Sequence, residues 1–268
     1  MKSALLLAGL YATDETSITE PAPTRDHTER MLQGFGYEVK RDGATAAMCG
    51  GSRLKACHID IPSDISSAAF FLVAASIVPC SDLTLSHVGI NPTRVGILEI
   101  LTLMGADIEI LNRREVGGEP VADLRVRYAP LKGIKVPENL VPLAIDEFPV
   151  LFVAASCAEG WTCVTGAEEL RVKESDRIQS MVDGLSILGA DIKDTPNGAS
   201  IQGGGVDFRF SGGTVEACED HRIAMAFSVA GLVCRETIIV NDCANVATSF
   251  PNFIGLARET GFPLTVSL

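Results

Sequence analysis

The sequence predicts an α/β protein built from repeated units, and three observations carry that expectation. An apolar, helix-like run followed by a β-rich run occurs four times: ALLLAGLYA…TSITE, AFFLVAASIVPCSDLTLSHV, LFVAASCAEGWTCVTGA and AFSVAGLVCRETIIVND. Each copy is followed by an amphipathic helix pattern that stops at a glycine and runs into a strand pattern. The resulting block of helix, strand, helix and strand is roughly 70 residues long. That is too large for a solenoid module and suits a pseudo-symmetric domain built from repeats.

In the first copy the chain enters its helix at Lys2, with no leader before it, and the second helix ends in MLQGFGYEV with Gly36. MKSALLLAGLYA imitates a secretory signal, with a lysine, a short apolar stretch and an A-x-A-like ending. The recurrence of the same kind of run downstream reads it as part of the fold. The second copy has the leader DIPSDISSA, ends in EILTLMGADIEI with Gly105, and adds an extra strand, DLRVRYA (123–129). In the third, after PLAIDEFPV, Ile178, Met181, Val182, Leu185 and Leu188 fall at helical spacing before Gly189, and ASIQGG (199–204) adds a strand. The fourth has the leader VEACEDHRIA and ends in LARETGFPLTV with Gly261. Glycine after the last periodic residue is the expected helix stop.

Composition bounds the function. The 268 residues are 47% hydrophobic and 21% charged, which is globular. The net charge of −12 argues against a nucleic-acid partner, which wants a basic face, but leaves room for an anionic small molecule at a local cluster of cations. No apolar run is long enough to span a membrane. The eight cysteines have no CxxC spacing and several sit in apolar runs, so buried reduced thiols in a cytoplasmic protein are expected. The four histidines lack ligand spacing, so no metal is expected, and neither GxGxxG nor a P-loop occurs. No cofactor is implied.

Polar groups gather before the helices. Asp64, Ser66 and Ser67 precede the first helix of the second copy, Asp146 and Glu147 that of the third, and Asp220, His221 and Arg222 that of the fourth. Helix N-termini suit anions, and the same acids also serve as caps, so both readings stand. The second helices are announced by EPAPTRDHTERML, GINPTRVGIL, ELRVKESDRI and VATSFPNFI. In LRVKESDRI, five of the seven residues from Arg171 to Arg177 are charged, as in a salt-laced surface helix start or in a site. Repetition of the unit brings Thr24, Arg25, His27, Arg94, Lys173, Arg177 and Arg222 towards common ends of the fold. Cations with a few carboxylates such as Asp146 and Glu174 can bind phosphate and carboxylate groups and move a proton.

EPAPTRDHTERML, LRVKESDRI, EDHRIAMAFSVAG and TSFPNF, in this order and across effectively the whole chain, resemble the C-terminal part of the EPSP synthase (3-phosphoshikimate 1-carboxyvinyltransferase) family. The resemblance implies two inside-out barrel domains of the enolpyruvyl transferase type. Each consists of three α/β units about a pseudo-threefold axis, and the two close like a clamp. Residues 1–61 are then the last unit of the first domain, and 62–268 a second domain of three units.

It also implies transfer of the enolpyruvyl group of phosphoenolpyruvate to the 5-hydroxyl of shikimate 3-phosphate, a step of aromatic amino acid biosynthesis. Asp146 matches the aspartate that takes the hydroxyl proton, Glu174 the glutamate that handles the proton at C3, and Lys173 the lysine near the hydroxyl. Thr24 and Arg25 match the segment that binds shikimate 3-phosphate. Arg177 and Arg222 match arginines that grip phosphoenolpyruvate, and Thr248 stands where some members have a lysine for it. Upstream family motifs, including a Lys-Ser loop and a further arginine, are not among these residues. The expected partner is therefore the N-terminal part of the same enzyme, and the chain alone is expected to be inactive. Two alternatives are a non-catalytic module that captures shikimate 3-phosphate or phosphate, and a relative of the UDP-N-acetylglucosamine enolpyruvyl transferases.

Overall fold

The computed structural model describes residues 1–21 and 24–267. All four repeats are present. The first comprises α1 (Lys2–Gly9), β1 (Glu15–Thr19), α2 (His27–Gly34), β2 (Lys40–Asp42) and β3 (Thr45–Cys49), with strand order β1-β3-β2. The second comprises α3 (Ile65–Ile77), β4 (Asp82–Gly89), α4 (Gly96–Leu103), β5 (Asp107–Val116) and β6 (Glu119–Arg127), with strand order β4-β6-β5. In the third, α5 (Phe148–Cys157), β7 (Glu159–Val164), α6 (Arg177–Ile187), β8 (Asp191–Thr195) and β9 (Gly198–Gly204) give the same pattern, β7-β9-β8. The pairing in these sheets is antiparallel, and the extra strands expected near 123–129 and 199–204 are the central ones.

The fourth unit differs. It contains β10 (Gly213–Glu216), α7 (His221–Ala230), β11 (Ile238–Asn241), α8 (Asn245–Ser249) and α9 (Phe253–Glu259), and β10 pairs parallel with β11. The strand expected in GFPLTV does not form. Pro263 has no N–H to give to a ladder, and the segment is anchored instead by Phe262, which is buried.

Helices α3, α5 and α7 pack on one another at the centre of the main core. They are apolar nearly all round, as a helix with no solvent face must be: 12 of the 13 residues of α3 are buried. The core runs from Ile65 to Phe262, and residues of the first unit (Leu6, Leu32, Tyr37, Val39, Ala46, Met48) form a separate small cluster. Leu5 and Leu7 on α1 are exposed, and the buried side of that helix includes Lys2, paired with Glu20 at 2.9 Å and Glu29 at 2.8 Å. Among the described residues no helix is long and apolar enough to cross a membrane.

The expectation of buried thiols is corrected. Cys49, Cys57, Cys80, Cys218 and Cys243 are exposed, and Cys157, Cys163 and Cys234 half-buried. In VAASC and GLVC the apolar neighbours belong to the helical turns, whereas Cys157 ends α5 and Cys234 follows the turn after α7. All eight are free, and burial pushes the Cys157 thiol up to about 12.

Candidate active site

Three chain segments, two from the third unit and one from the fourth, come together around Asp146. Asp146 and Glu147 end the leader of α5, Lys173 and Glu174 lie just before α6, and Asp220 is the N-cap of α7. Arg25 reaches in from the first unit, its Nη2 donating to Asp146 Oδ2 at 2.6 Å. Arg177 Nη1 lies 3.4 Å from Asp146 Oδ1, and Arg222 Nη2 3.7 Å from Oδ2. Burial would raise the carboxyl's pKa. The charge of Arg222, the hydrogen bond and charge of Arg25 and the charge of Lys173 outweigh it, holding Asp146 at about 2.

Arg177 is the residue on which the cluster hangs. It is 1% exposed. Its Nε donates to Asp220 Oδ2 at 2.8 Å, while its Nη2 donates to Glu174 at 2.5 Å and more distantly to Asp220 Oδ1 at 3.4 Å. Asp220 is itself fully buried, accepts from the Arg222 N–H at 2.9 Å as the cap of α7, and is also bonded by Ser175 at 3.1 Å. One carboxylate thus fixes two arginines: Arg177 through its side chain and Arg222 through the helix start. Burial works against the Asp220 anion, but the hydrogen bond and charge of Arg177 keep its pKa lowered. Beside it, burial and the charge of Arg222 lower the His221 pKa, favouring the neutral imidazole.

Not every expected residue joins the cluster. Lys173 pairs with Glu169, although its charge acts on Asp146. Thr24 donates to Glu20 at 2.7 Å, on the side of Lys2. Thr248 is exposed on α8, and among the described residues no hydrogen bond links it to the cluster. Sequence reasoning gave no role to Glu147, which is 3% exposed and accepts from the Ser66 hydroxyl, while Arg94 Nη2 donates to Ser66 Oγ at 2.6 Å. Burial pushes the Glu147 carboxyl up, against Ser66 and Arg222. Its signal was present in the repeat itself, because Ser66 and Glu147 lie in matching leaders.

A cavity of about 350 Å³ opens elsewhere, between the first two units, lined by His27, Met31, Ile61, Ile65, Arg94 and Glu119 among others. Asp146, Arg177 and Arg222 do not line it.

The family described as EPSP synthase (3-phosphoshikimate 1-carboxyvinyltransferase) matches residues 1–256. The chain belongs to the EPSP synthase family. The 3-phosphoshikimate 1-carboxyvinyltransferase of Methylococcus capsulatus is 64% identical over 267 residues, covering 100% of this chain and 60% of the relative. That of Alkalilimnicola ehrlichii is 63% identical, with 99% and 59% covered. The chain therefore spans about three-fifths of the length of the curated relatives it matches. An EPSP synthase structure from Acinetobacter baumannii superposes with a TM-score of 0.96 at 55% identity, covering 100% of this chain and 61% of that one. The enolpyruvyl transferase NikO from Streptomyces tendae shares the fold, with a TM-score of 0.75 at 16% identity over 96% of this chain and 57% of its own. The repeated α/β units are thus those of the enolpyruvyl transferase fold.

Proposed function

We propose that this chain carries part of the machinery that transfers the enolpyruvyl group of phosphoenolpyruvate to the 5-hydroxyl of shikimate 3-phosphate. The observation that supports the reading is the convergence of Arg25, Arg177 and Arg222 on Asp146, with Glu174 bound to the same Arg177. In this reading Arg177 and Arg222 take phosphoenolpyruvate, with Thr248 beside it, and Thr24 and Arg25 take the phosphate of the acceptor. Lys173 lies by the acceptor hydroxyl. Asp146 accepts the hydroxyl proton, Glu174 delivers one to C3, and phosphate leaves from the tetrahedral adduct.

The free site explains how a carboxyl held near 2 can act as a base. Substrate anions compete for Arg25, Arg177 and Arg222, and each arginine drawn away raises the proton affinity of Asp146. Binding thus turns a structural carboxylate into a catalytic one, and releases Glu174 from Arg177 in the same event.

The charge balance supports a second part of the proposal. Arg25, Lys173, Arg177 and Arg222 face Asp146, Glu147, Glu174 and Asp220, so the cluster has little surplus positive charge for two polyanionic substrates. The 268 residues alone are accordingly read as binding acceptor weakly without turnover, their partner being the remainder of the same enzyme. Residues 1–61 are taken as one unit of the first domain and 62–268 as three units of the second, in keeping with the two separate core clusters. The free thiols fit a cytoplasmic setting.

Titration calorimetry with shikimate 3-phosphate, paired with a phosphate-release assay containing both substrates, tests this. Heat of binding that Arg25→Ala abolishes, without phosphate release, is the expected result. Phosphate release at rates like those of full-length relatives would sink the inactivity claim. Absence of binding to either substrate would remove the functional reading itself.

A further inference from the structure

Two cysteines lie at one end of the β10–β11 ladder, outside the contacts of the candidate site. The ladder pairs Gly213 with Ile238 through Glu216 with Asn241 at a constant offset. Pairing continues beyond the strands. The Ala217 N–H donates to the Asn241 carbonyl at 3.1 Å, and the Asn245 side chain donates to the Glu219 carbonyl. These two bonds bracket Cys218 and Cys243 and hold the two turns that carry them beside each other. The last ladder pair before them, Glu216 with Asn241, sits at the strand spacing of about 4.8 Å, and a disulfide spans Cα separations of about 4.4–6.8 Å.

The sulfurs also point to the same end of the ladder. Cys218 Sγ lies 3.9 Å from the Glu216 carbonyl oxygen, and Cys243 Sγ 3.0 Å and 3.6 Å from those of Val240 and Asn241. Glu216 and Asn241 are register partners. Both cysteines are exposed, so a small oxidant reaches them. Their loops also hold three non-glycine residues in the left-handed region: Cys218 at φ 53°, Glu219 at 57° and Asp242 at 58°. Such conformations persist only where neighbouring structure enforces them, and they gather at switch segments.

We propose that Cys218 and Cys243 form a reversible intramolecular disulfide, a redox site of this chain whose oxidant is a hydroperoxide or a low-molecular-weight disulfide. With hydrogen peroxide, one thiolate attacks an oxygen, the O–O bond breaks, and a sulfenic acid forms as the first water leaves. The second thiolate displaces the sulfenic hydroxyl, which departs as the second water. Two S–H bonds are lost, one S–S bond is made, and two electrons pass to the peroxide. With a small disulfide as oxidant, its two halves leave as thiols. Burial of the sulfur, then Asp242 and Glu216, push the Cys243 thiol up, which disfavours its thiolate. The bridge ties the leader of α7, which holds Asp220 and Arg222, to the leader of α8. The chemistry does not rest on the proposed enzymatic reading.

The folded chain is exposed to hydrogen peroxide or to glutathione disulfide, quenched by alkylation, digested and mapped by mass spectrometry. The expected product is a cross-linked peptide pair containing Cys218 and Cys243, about 2 Da lighter than the sum of its reduced halves, and restored by dithiothreitol. Cys218→Ser and Cys243→Ser should each abolish it, and Cys80→Ser should leave it unchanged. Full alkylation of both cysteines after oxidant treatment overturns the proposal, and the wild-type map decides this without any variant. Recovery of either residue only as a mixed disulfide, or paired chiefly with Cys49, Cys57 or Cys80, overturns it equally.

Discussion

A guanidinium that is 1% exposed must place five N–H donors and a charge away from water, and Arg177 does so with carboxylates from three different segments. Removing one partner leaves the other uncompensated. Asp220→Asn, or Arg177→Lys with its single point charge, should therefore cost about 3 kcal/mol. The check is a lower midpoint of urea unfolding at an unchanged slope. Asp146 makes a prediction about pH. Its pKa falls from an ordinary 3.8 to about 2 in the folded chain. A depressed carboxyl contributes stability that is present above the unfolded value and lost as pH falls through the folded one. The wild type should thus lose about 2 kcal/mol at this group between pH 4 and pH 2. Asp146→Asn should show a correspondingly flatter acid limb, and equal acid limbs would remove Asp146 as a contributor.

Among the elements, repetition extends to single hydrogen bonds. After α2, α4, α6 and α9 the chain turns at Gly36, Gly105, Gly189 and Gly261 with φ of 76°, 90°, 85° and 95°. The next N–H in each case bonds back five residues, as from Ala190 to the Leu185 carbonyl at 2.9 Å. Ser76, Ser156 and Ser228 likewise return their hydroxyls to the carbonyl one turn earlier in α3, α5 and α7. Gly184 is needed for another reason: a Cβ there would stand 2.2 Å from Cζ of Phe227, which is fully buried on α7. Gly184→Ala should cost about 1–3 kcal/mol in thermal melts through overpacking. Gly231→Ala, which meets nothing within 4 Å, should not destabilise the fold.

These elements also mark what was legible in the sequence. The four helix stops, the apolar first helices and the extra strands followed from periodicity and glycine placement, although α1 leaves Leu5 and Leu7 exposed. The parallel β10–β11 pair did not, because pairing partners are set by tertiary packing and not by local pattern. At the site, Arg25, Asp146, Glu174, Arg177 and Arg222 were visible as charges at helix mouths. Glu147 and Asp220 were harder, since an acid before a helix reads first as a cap, and Asp220 is a cap as well as the counter-ion of Arg177.

Across the whole molecule, the two core clusters meet at a polar seam. Asp26 is 1% exposed and accepts from Arg30 Nε at 2.9 Å, from Arg41, and from Asn91 Nδ2 of the second unit at 2.7 Å. Glu119, also of the second unit, accepts from Asn91 at 2.9 Å and from His27 at 2.6 Å, and Arg30 donates to the Gly118 carbonyl at 2.9 Å. The first unit thus adheres through charge-assisted bonds, whereas the other three share one apolar core. Burial opposes the Asp26 anion, yet Arg30, Asn91 and Arg41 hold its pKa at about 2, below an ordinary 3.8. The sign is that of any depressed carboxyl: stabilising above pH 4 and lost as pH falls towards 2. This loss acts on the seam and not on the apolar core. Residues 1–50 should therefore loosen first in acid. Asp26→Asn should reproduce the effect at neutral pH, raising amide exchange in α2 and β3 about thirtyfold for about 2 kcal/mol. Amides of α3, α5 and α7 should keep their protection, because no part of their core depends on Asp26. An equal rise in both sets would mean that the four units open as one body, and that the seam has no separate role.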